Sequence, residues 1–235
     1  MKVSIIIPVY NEERTISKIL KKVSLATLPS GFVKEIIVVN DSSRDRTVHE
    51  IKKCKIKMVV INHAENLGKG AAIISGLEKA LGEIVLIQDA DLEYDPEDYQ
   101  KLLAPFQNNQ TQVVYGSRLI DYPLKLFGKH KTPMPIHLLA NKFLTFLTNY
   151  LYGSSVTDME TCYKVINTKL LKSLNIQAKR FDFEPEVTAK ILKRGIKIIE
   201  IPIKVKPRSY QEGKKIGWRD GLIAIWTLIK YRFVA

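Results

Sequence analysis

The sequence predicts an α/β fold: a mostly parallel sheet flanked by helices, with amphipathic helices toward the C-terminus. Three observations carry that expectation. Short β-branched runs alternate with segments of helical spacing over residues 3–117, the pattern of βαβ units with right-handed crossovers. The runs are nearly continuous in apolar residues, as strands buried on both faces of a parallel sheet are. Three of them stop at polar groups, Tyr10-Asn11-Glu12, Asn40-Asp41 and Asp89-Ala90-Asp91, and ligands of such sheets bind beyond the carboxyl ends of the strands.

The elements follow in order. VSIIIPV (3–9) is the first strand, and Ile16, Ile19, Leu20 and Val23 then recur at helical spacing. EIIVVND (35–41) is the second strand. SSRDRTVHEIKK reads as a capped helix with Ser42 or Ser43 as N-cap. IKMVVIN (56–62) is the third strand, and GKGAAIISGLEKAL the third helix, with Ile74, Leu77 and Leu81 on one face. EIVLIQD (83–89) and QVVYGS (112–117) are the fourth and fifth strands. Between them Asp95-Pro96-Glu97-Asp98 has the form of a helix start: N-cap, proline at N1, acids in the first turn.

Beyond residue 118 the pattern changes. The proline-rich IDYPLKLFGKHKTPMPIH (120–137) reads as a loop, and LLANKFLTFLTNYLYG (138–153) as an aromatic amphipathic helix. IKIIEIPIKV (196–205) is a late strand, PRSYQEGKKIGWRDG (207–221) a basic loop, and LIAIWTLIKYRF (222–233) a short apolar helix that ends basic. With no internal repeat or low-complexity linker, the expectation is one domain, 1–235. Residues 1–118 form its nucleotide-binding core, and 119–235 a second half built onto it.

Composition narrows the partners. The 235 residues carry 37 Lys+Arg against 24 Asp+Glu, a formal net charge of +13. That balance suits a nucleotide, a nucleic acid or an acidic membrane surface, or simply a solvated face. Cys54 and Cys162 lie far apart, without a CxxC pair or disulfide framework, which points to a reducing compartment. The N-terminal apolar run is too short for a signal peptide. No stretch approaches the roughly 18 apolar residues of a membrane span. A cytoplasmic protein that lies on a membrane, if it meets one, is the expectation.

The chemistry concentrates in LIQDADLEYDPED (86–98). Aspartates at i and i+2 in an extended or turn segment point to the same side. Asp89 and Asp91 could therefore share one Mg²⁺ or Mn²⁺, ions that take one or two carboxylates and complete their shell with water and phosphates. An acidic helix start is the competing reading. It fits Asp95, Glu97 and Asp98, and Glu93 stays undecided. Rival motifs are weak. Gly68-Lys69-Gly70 lacks the third glycine of a dinucleotide fingerprint and follows the third strand. Walker A, HExxH and GxSxG sequences are absent, and four scattered histidines make no zinc site.

Taken in order, SIIIPVYNEERTI, EIIVVNDSSRDRT, NLGKGAAIISGL, IVLIQDADLEYDP and VVYGSR resemble glycosyltransferase family 2. The branch most similar is that of dolichyl-phosphate mannose and glucose synthases. The likeness continues through TDMETCYKVI (157–166), RFDFEPEVTAKILKRG (180–195) and PRSYQEGKKIGW (207–218). It implies a GT-A type, Rossmann-like fold. It implies that Pro8, Tyr10 and Glu12 line the pocket of base and ribose, that Asp41 contacts the base, and that Asp89 and Asp91, with Ala90 between them, hold the metal on the diphosphate. Arg118 would approach the diphosphate or acceptor phosphate. Arg208, Lys214 and Lys215 would belong to a mobile basic loop, at about 206–217 in the acceptor-binding half, over the donor. The family more usually reads DDGS where this chain has Asn40-Asp41-Ser42-Ser43.

The implied reaction moves one hexose, glucose or mannose, from a UDP- or GDP-linked donor to a polyprenyl phosphate with inversion. A cation and basic side chains stabilise the leaving diphosphate. An ionised lipid phosphate needs no general base, whereas a hydroxyl acceptor does. Asp158 and Glu160 are the carboxylates for that second case, unless they orient a basic residue or the metal shell. A helix start at Thr157 or Asp158 is the plainer alternative. The helices carrying Phe143, Phe146, Leu147 and Tyr150, and Trp226, Lys230 and Arg232, suit an interfacial position. Core packing or a homodimer contact would explain them as well. A saccharide or protein hydroxyl acceptor remains the competing enzyme reading. No nucleic-acid partner is expected, because the basic residues are dispersed.

Overall fold

The computed structural model describes residues 1–120, 135–208 and 217–234. Strands β1 (Lys2–Val9), β2 (Val33–Asn40), β3 (Val59–Asn62), β4 (Ile84–Ile87), β5 (Val113–Ser117), β6 (Lys164–Asn167) and β7 (Ile199–Pro202) form one sheet in the order β3-β2-β1-β4-β6-β5-β7. All neighbours pair parallel except β6, which runs antiparallel to both β4 and β5. Helices α1 (Ile16–Leu25), α2 (Thr47–Lys53), α3 (Lys69–Lys79), α4 (Tyr99–Leu103), α5 (Pro135–Tyr152), α6 (Thr168–Ser173), α7 (Phe183–Lys193) and α8 (Trp218–Phe233) connect or flank the strands.

The apolar runs explain the centre. Val3, Ile5, Ile6, Ile7, Val38, Val39, Val85 and Leu86 are fully buried and belong to one large core cluster. Residues on consecutive positions of a strand face opposite sides, so such runs require cover on both. A second, smaller cluster joins Leu144 of α5, Ala189 of α7 and Ala224, Leu228 and Tyr231 of α8 around Met159.

Several expectations change. The helix after β2 begins at Thr47, not at Ser42 or Ser43. Ser42 lies at φ 59°, and Asp45 accepts from the Thr47 backbone N–H at 2.9 Å. The packed face of α3 holds Gly70, Ala72, Ile73, Gly76 and Leu77, while Ile74 is only partly buried and Leu81 is exposed. Small residues dominate because backbone comes close: a Cβ on Gly70 would sit 2.5 Å from the Ala178 carbonyl oxygen. Gly70 and Ala71 donate to the carbonyls of Arg180 (3.2 Å) and Lys179 (3.0 Å), joining the start of α3 to the segment before α7.

Helix α5 already begins at Pro135, inside the expected loop. The expected strand 196–205 narrows to β7, and α8 begins four residues earlier than expected, at Trp218. Asp95 is the N-cap of a 3-10 turn at Pro96–Asp98, accepting from Glu97 N–H at 3.2 Å, as its sequence suggested. Strand β6 was not foreseen.

Candidate active site

The antiparallel course of β6 places its first residue at the carboxyl edge of β4 and β5. Reading along that edge, the ends of β2 and β1 carry Asp41 and Tyr10, β4 leads to Asp89 and Asp91, β6 is preceded by Glu160, and β5 and β7 lead to Arg118 and Arg208. One cavity of about 360 Å³ opens there, lined by Pro8, Tyr10, Glu12, Asp41, Asp89, Ala90, Asp91, Arg118, Glu160 and Arg208 among others. Of the expected site residues, only Lys214, with its neighbour Lys215, lies outside the described residues.

Asp41 is almost wholly buried, and its carboxylate is saturated. His63 Nδ1 (2.7 Å) and Leu67 N–H (2.9 Å) meet one oxygen, Asn66 Nδ2 (2.9 Å) and Gly68 N–H (2.7 Å) the other. Asp41 therefore pins residues 63–68 against the end of β2. Gly68 at φ 102° allows this turn, since a Cβ there would lie 2.4 Å from the Lys179 carbonyl oxygen.

The β4 acids each meet a basic residue. Lys69 Nζ lies 2.9 Å from Asp89 Oδ1 and 2.8 Å from Glu184 Oε1. Burial works against this ammonium, but Asp89 and Glu184 outweigh it and hold its pKa above the usual lysine value. Burial and the nearby carboxylates of Asp89 and Glu93 push Asp91 up to about 7. Arg208 donates to Glu12 through two nitrogens (3.1 and 3.0 Å) and to Asp91 (3.2 Å). Glu93 holds the same strap: its carbonyl accepts from Lys206 N–H at 3.0 Å and its carboxylate from Arg208 N–H at 3.1 Å.

Arg118 and Asp158 form a fork. Asp158 Oδ2 accepts from Arg118 Nε (2.7 Å) and N–H (2.9 Å), and Oδ1 from Nη2 (2.8 Å) and Asn141 Nδ2 (3.3 Å). Asp158 is fully buried. Burial opposes its ionisation, yet Arg118 prevails and keeps its pKa below the usual aspartate value. No helix begins at Thr157 or Asp158. Instead Thr157 and the Asp158 N–H donate to the Glu200 carboxylate of β7.

Glu160 is different. Its Oε1 is buried without a hydrogen-bond partner. Burial and Glu184 push its pKa up to about 7, against Lys164 and Arg118, with Asp158 adding to the rise. Lys164 is itself fully buried, donates to the Met159 carbonyl at 2.8 Å and sits 3.9 Å over the Tyr115 ring. The sign follows from the raised value. Stability tied to the Glu160 proton is complete below the ordinary glutamate pKa and is lost as pH rises through about 7. Glu160→Gln has no such limb. The variant is expected to gain stability relative to wild type between pH 5 and 8, measured as Tm by calorimetry. A pH-independent difference would show a carboxyl that does not titrate there.

Sequence reasoning missed Lys69 and Glu184. The signal for Lys69 was present: it stands between two glycines at a helix start on the carboxyl side of the sheet. Glu184 gave only an acid in the first turn of α7, the ordinary place for one.

The chain with this edge, acids after β4 and arginines after β5 and β7 of a GT-A-like sheet, is a glycosyltransferase by its family. The fold is that of glucosyl-3-phosphoglycerate synthase from Mycobacterium tuberculosis, solved with Mn²⁺, UDP and glucosyl-3-phosphoglycerate. The match has a TM-score of 0.72 at 20% identity, over 100% of this chain and 81% of that one. Residues 4–174 match the family described as Glycosyl transferase family 2, and the chain belongs to that family. It is 31% identical to the UDP-N-acetylglucosamine--dolichyl-phosphate N-acetylglucosaminyltransferase of Methanococcus voltae, over 96% of this chain and 94% of the relative. A dolichyl-phosphate beta-glucosyltransferase of Trichomonas vaginalis is 29% identical over 86% of this chain and 64% of its own length.

Proposed function

We propose that this enzyme transfers one hexosyl unit from a UDP- or GDP-linked sugar to a polyprenyl phosphate at a membrane surface, with inversion and with Mg²⁺ or Mn²⁺. One observation carries the reading. Arg118, on the cavity wall with Asp89 and Asp91, is tied through Asp158 to Asn141 of α5. The outer face of that same helix exposes Phe143, Phe146 and Tyr150. The named relatives that act on dolichyl phosphate support the acceptor class, and the Methanococcus voltae enzyme favours UDP.

On this reading Pro8, Tyr10 and Glu12, with the turn pinned by Asp41, bind the nucleoside. Asp89 and Asp91 would hold the divalent cation, and the fit is good. Their mutual repulsion is of the kind a cation relieves. Among the described residues no cluster of three or more Asp, Glu, His or Cys could hold a metal, so phosphates and water would complete the shell. The cation supplies charge stabilisation for the departing diphosphate. Arg208 and Lys69, already beside these acids, can turn to phosphate oxygens, and Arg118 directs the acceptor phosphate. Asp158 holds Arg118 in place. The hydroxyl-acceptor reading with Asp158 as base is less well supported, because both of its oxygens are engaged.

Thermal-shift screening of nucleotide sugars with Mn²⁺ tests the donor. At 100 times Kd a ligand adds about 2.7 kcal/mol of stability. UDP-glucose, UDP-N-acetylglucosamine and GDP-mannose form the first panel. Turnover with a short polyprenyl phosphate is then expected, and transfer only to saccharide hydroxyls would overturn the lipid acceptor.

Among the described residues no helix is long and apolar enough to cross a membrane. Yet Trp218, Leu222 and Trp226 of α8 lie exposed, as do Phe146 and Tyr150 of the adjacent α5. Exposed aromatic residues on a chain of net charge +13 suit an anionic bilayer surface. The protein is expected to float with anionic liposomes at low salt and to be released as salt rises. Failure to float, with a dimer by light scattering, would assign these faces to a second copy.

A further inference from the structure

Among the described residues, the buried side-chain polar atoms without a hydrogen-bond partner are Glu160 Oε1 and Arg208 Nε. Both residues line the cavity at the carboxyl edge. Buried polar atoms are nearly always paired in folded proteins, so orphans sharing a cavity mark groups kept for a ligand. Arg208 belongs to the ion-paired strap already described. Glu160 has no assigned task.

Its surroundings are rigid. Thr161 Oγ1 donates to the Gly116 carbonyl at 2.5 Å, Cys162 N–H to the Tyr94 hydroxyl at 3.1 Å, and Met159 N–H to Thr145 Oγ1 at 3.2 Å. The chain on either side of Glu160 is thus fastened, while its own Oε1 is left unpaired. A carboxyl held this way is preorganised for a partner.

The strand order says which partner. If the nucleoside lies at β2 and β1 and the diphosphate at β4, the sugar lies one step further along the edge. That step is β6, and Glu160 stands just before it. A carboxylate oxygen needs a hydrogen-bond donor. An ionised phosphate has no donor for the carboxylate, whereas a sugar ring offers several hydroxyls, which can serve the ionised and the protonated form alike.

We propose that Glu160 is a specificity-determining residue whose free Oε1 accepts a hydrogen bond from a hydroxyl of the transferred sugar. This rests on the nucleotide-sugar donor proposed above, and it is independent of the acceptor.

Calorimetric titration with Mn²⁺ present separates the two. The ligands are the nucleoside diphosphate, the accepted nucleotide sugar and its 3-, 4- and 6-deoxy analogues, on wild type, Glu160→Ala and Glu160→Gln. Glu160→Ala is expected to weaken the nucleotide sugar roughly 10- to 100-fold and to leave the nucleoside diphosphate unchanged. One deoxy analogue should lose that factor on wild type and nothing further on the variant, closing a double-mutant cycle. Glu160→Gln is isosteric, guards against misfolding, and should show a smaller loss with Tm no lower than wild type. Undiminished sugar-nucleotide binding by Glu160→Ala, or an equal loss for the bare diphosphate, overturns the role of Glu160. A wild-type protein that binds the diphosphate but no nucleotide sugar overturns the donor reading itself.

Discussion

Replacing Asp91 by alanine is expected to lower turnover by roughly a thousandfold or more, the several kcal/mol that a metal-held diphosphate contributes. The fold should survive. Among the described residues Asp91 accepts only from Glu93 N–H and Arg208, and it stands close to two other carboxylates that raise its pKa. Removing it relieves repulsion, so Tm should hold or rise while Mn²⁺-dependent binding of the nucleoside diphosphate disappears. Asp91→Asn separates charge from shape: it keeps the Glu93 contact but should lose the cation. Full activity in either variant would sink the assignment of Asp91.

The second large effect falls on stability. Asp158→Ala strands the Arg118 guanidinium, whose side chain is 22% exposed, without the fully buried carboxylate that takes two of its N–H groups and the Arg118 backbone N–H. Breaking a buried pair by removing one partner costs about 3 kcal/mol at its lower end, or roughly 6–12 °C in Tm for a chain of this size. Activity should fall in step with the loss of Arg118 order. Asp158→Asn discriminates between roles. If Asp158 only positions Arg118, the amide oxygen preserves part of the fork, and turnover falls modestly along with Tm. If Asp158 were a base, the same variant would lose Tm by the same amount and lose turnover almost completely.

The sequence made the centre of the sheet legible because β1, β2, β4 and β5 are buried on both faces, and only long apolar runs tolerate that. Strand β6 escaped because it has four residues and starts with Lys164. That lysine is buried against a tyrosine ring, a solution no periodicity announces. The face of α3 was misread because Gly70 and Gly76 pack by absence of side chain, and hydrophobic spacing counts only presence. Carboxylates at strand ends were readable, since the sheet places them at one edge whatever the rest does. Their counter-ions were not: Arg208 meets Glu12 across 196 residues and Asp91 across 117, a pairing that exists only in the folded chain. Glu93, undecided in the sequence, turns out to hold the backbone of that arginine.

Strand β5 finds both its neighbours, β6 and β7, beyond residue 163. During synthesis, strands β1 to β4 can zip together as they emerge, because each has an earlier or adjacent partner. Strand β5 must wait while about fifty further residues are made. Until then Val113, Val114 and Tyr115, all fully buried in the finished protein, form an apolar strand with two open edges, the kind that invites intermolecular pairing. The sheet's first five strands are thus completed only once most of the second half has been made. A fragment ending after β5 should aggregate where one carried through β7 folds.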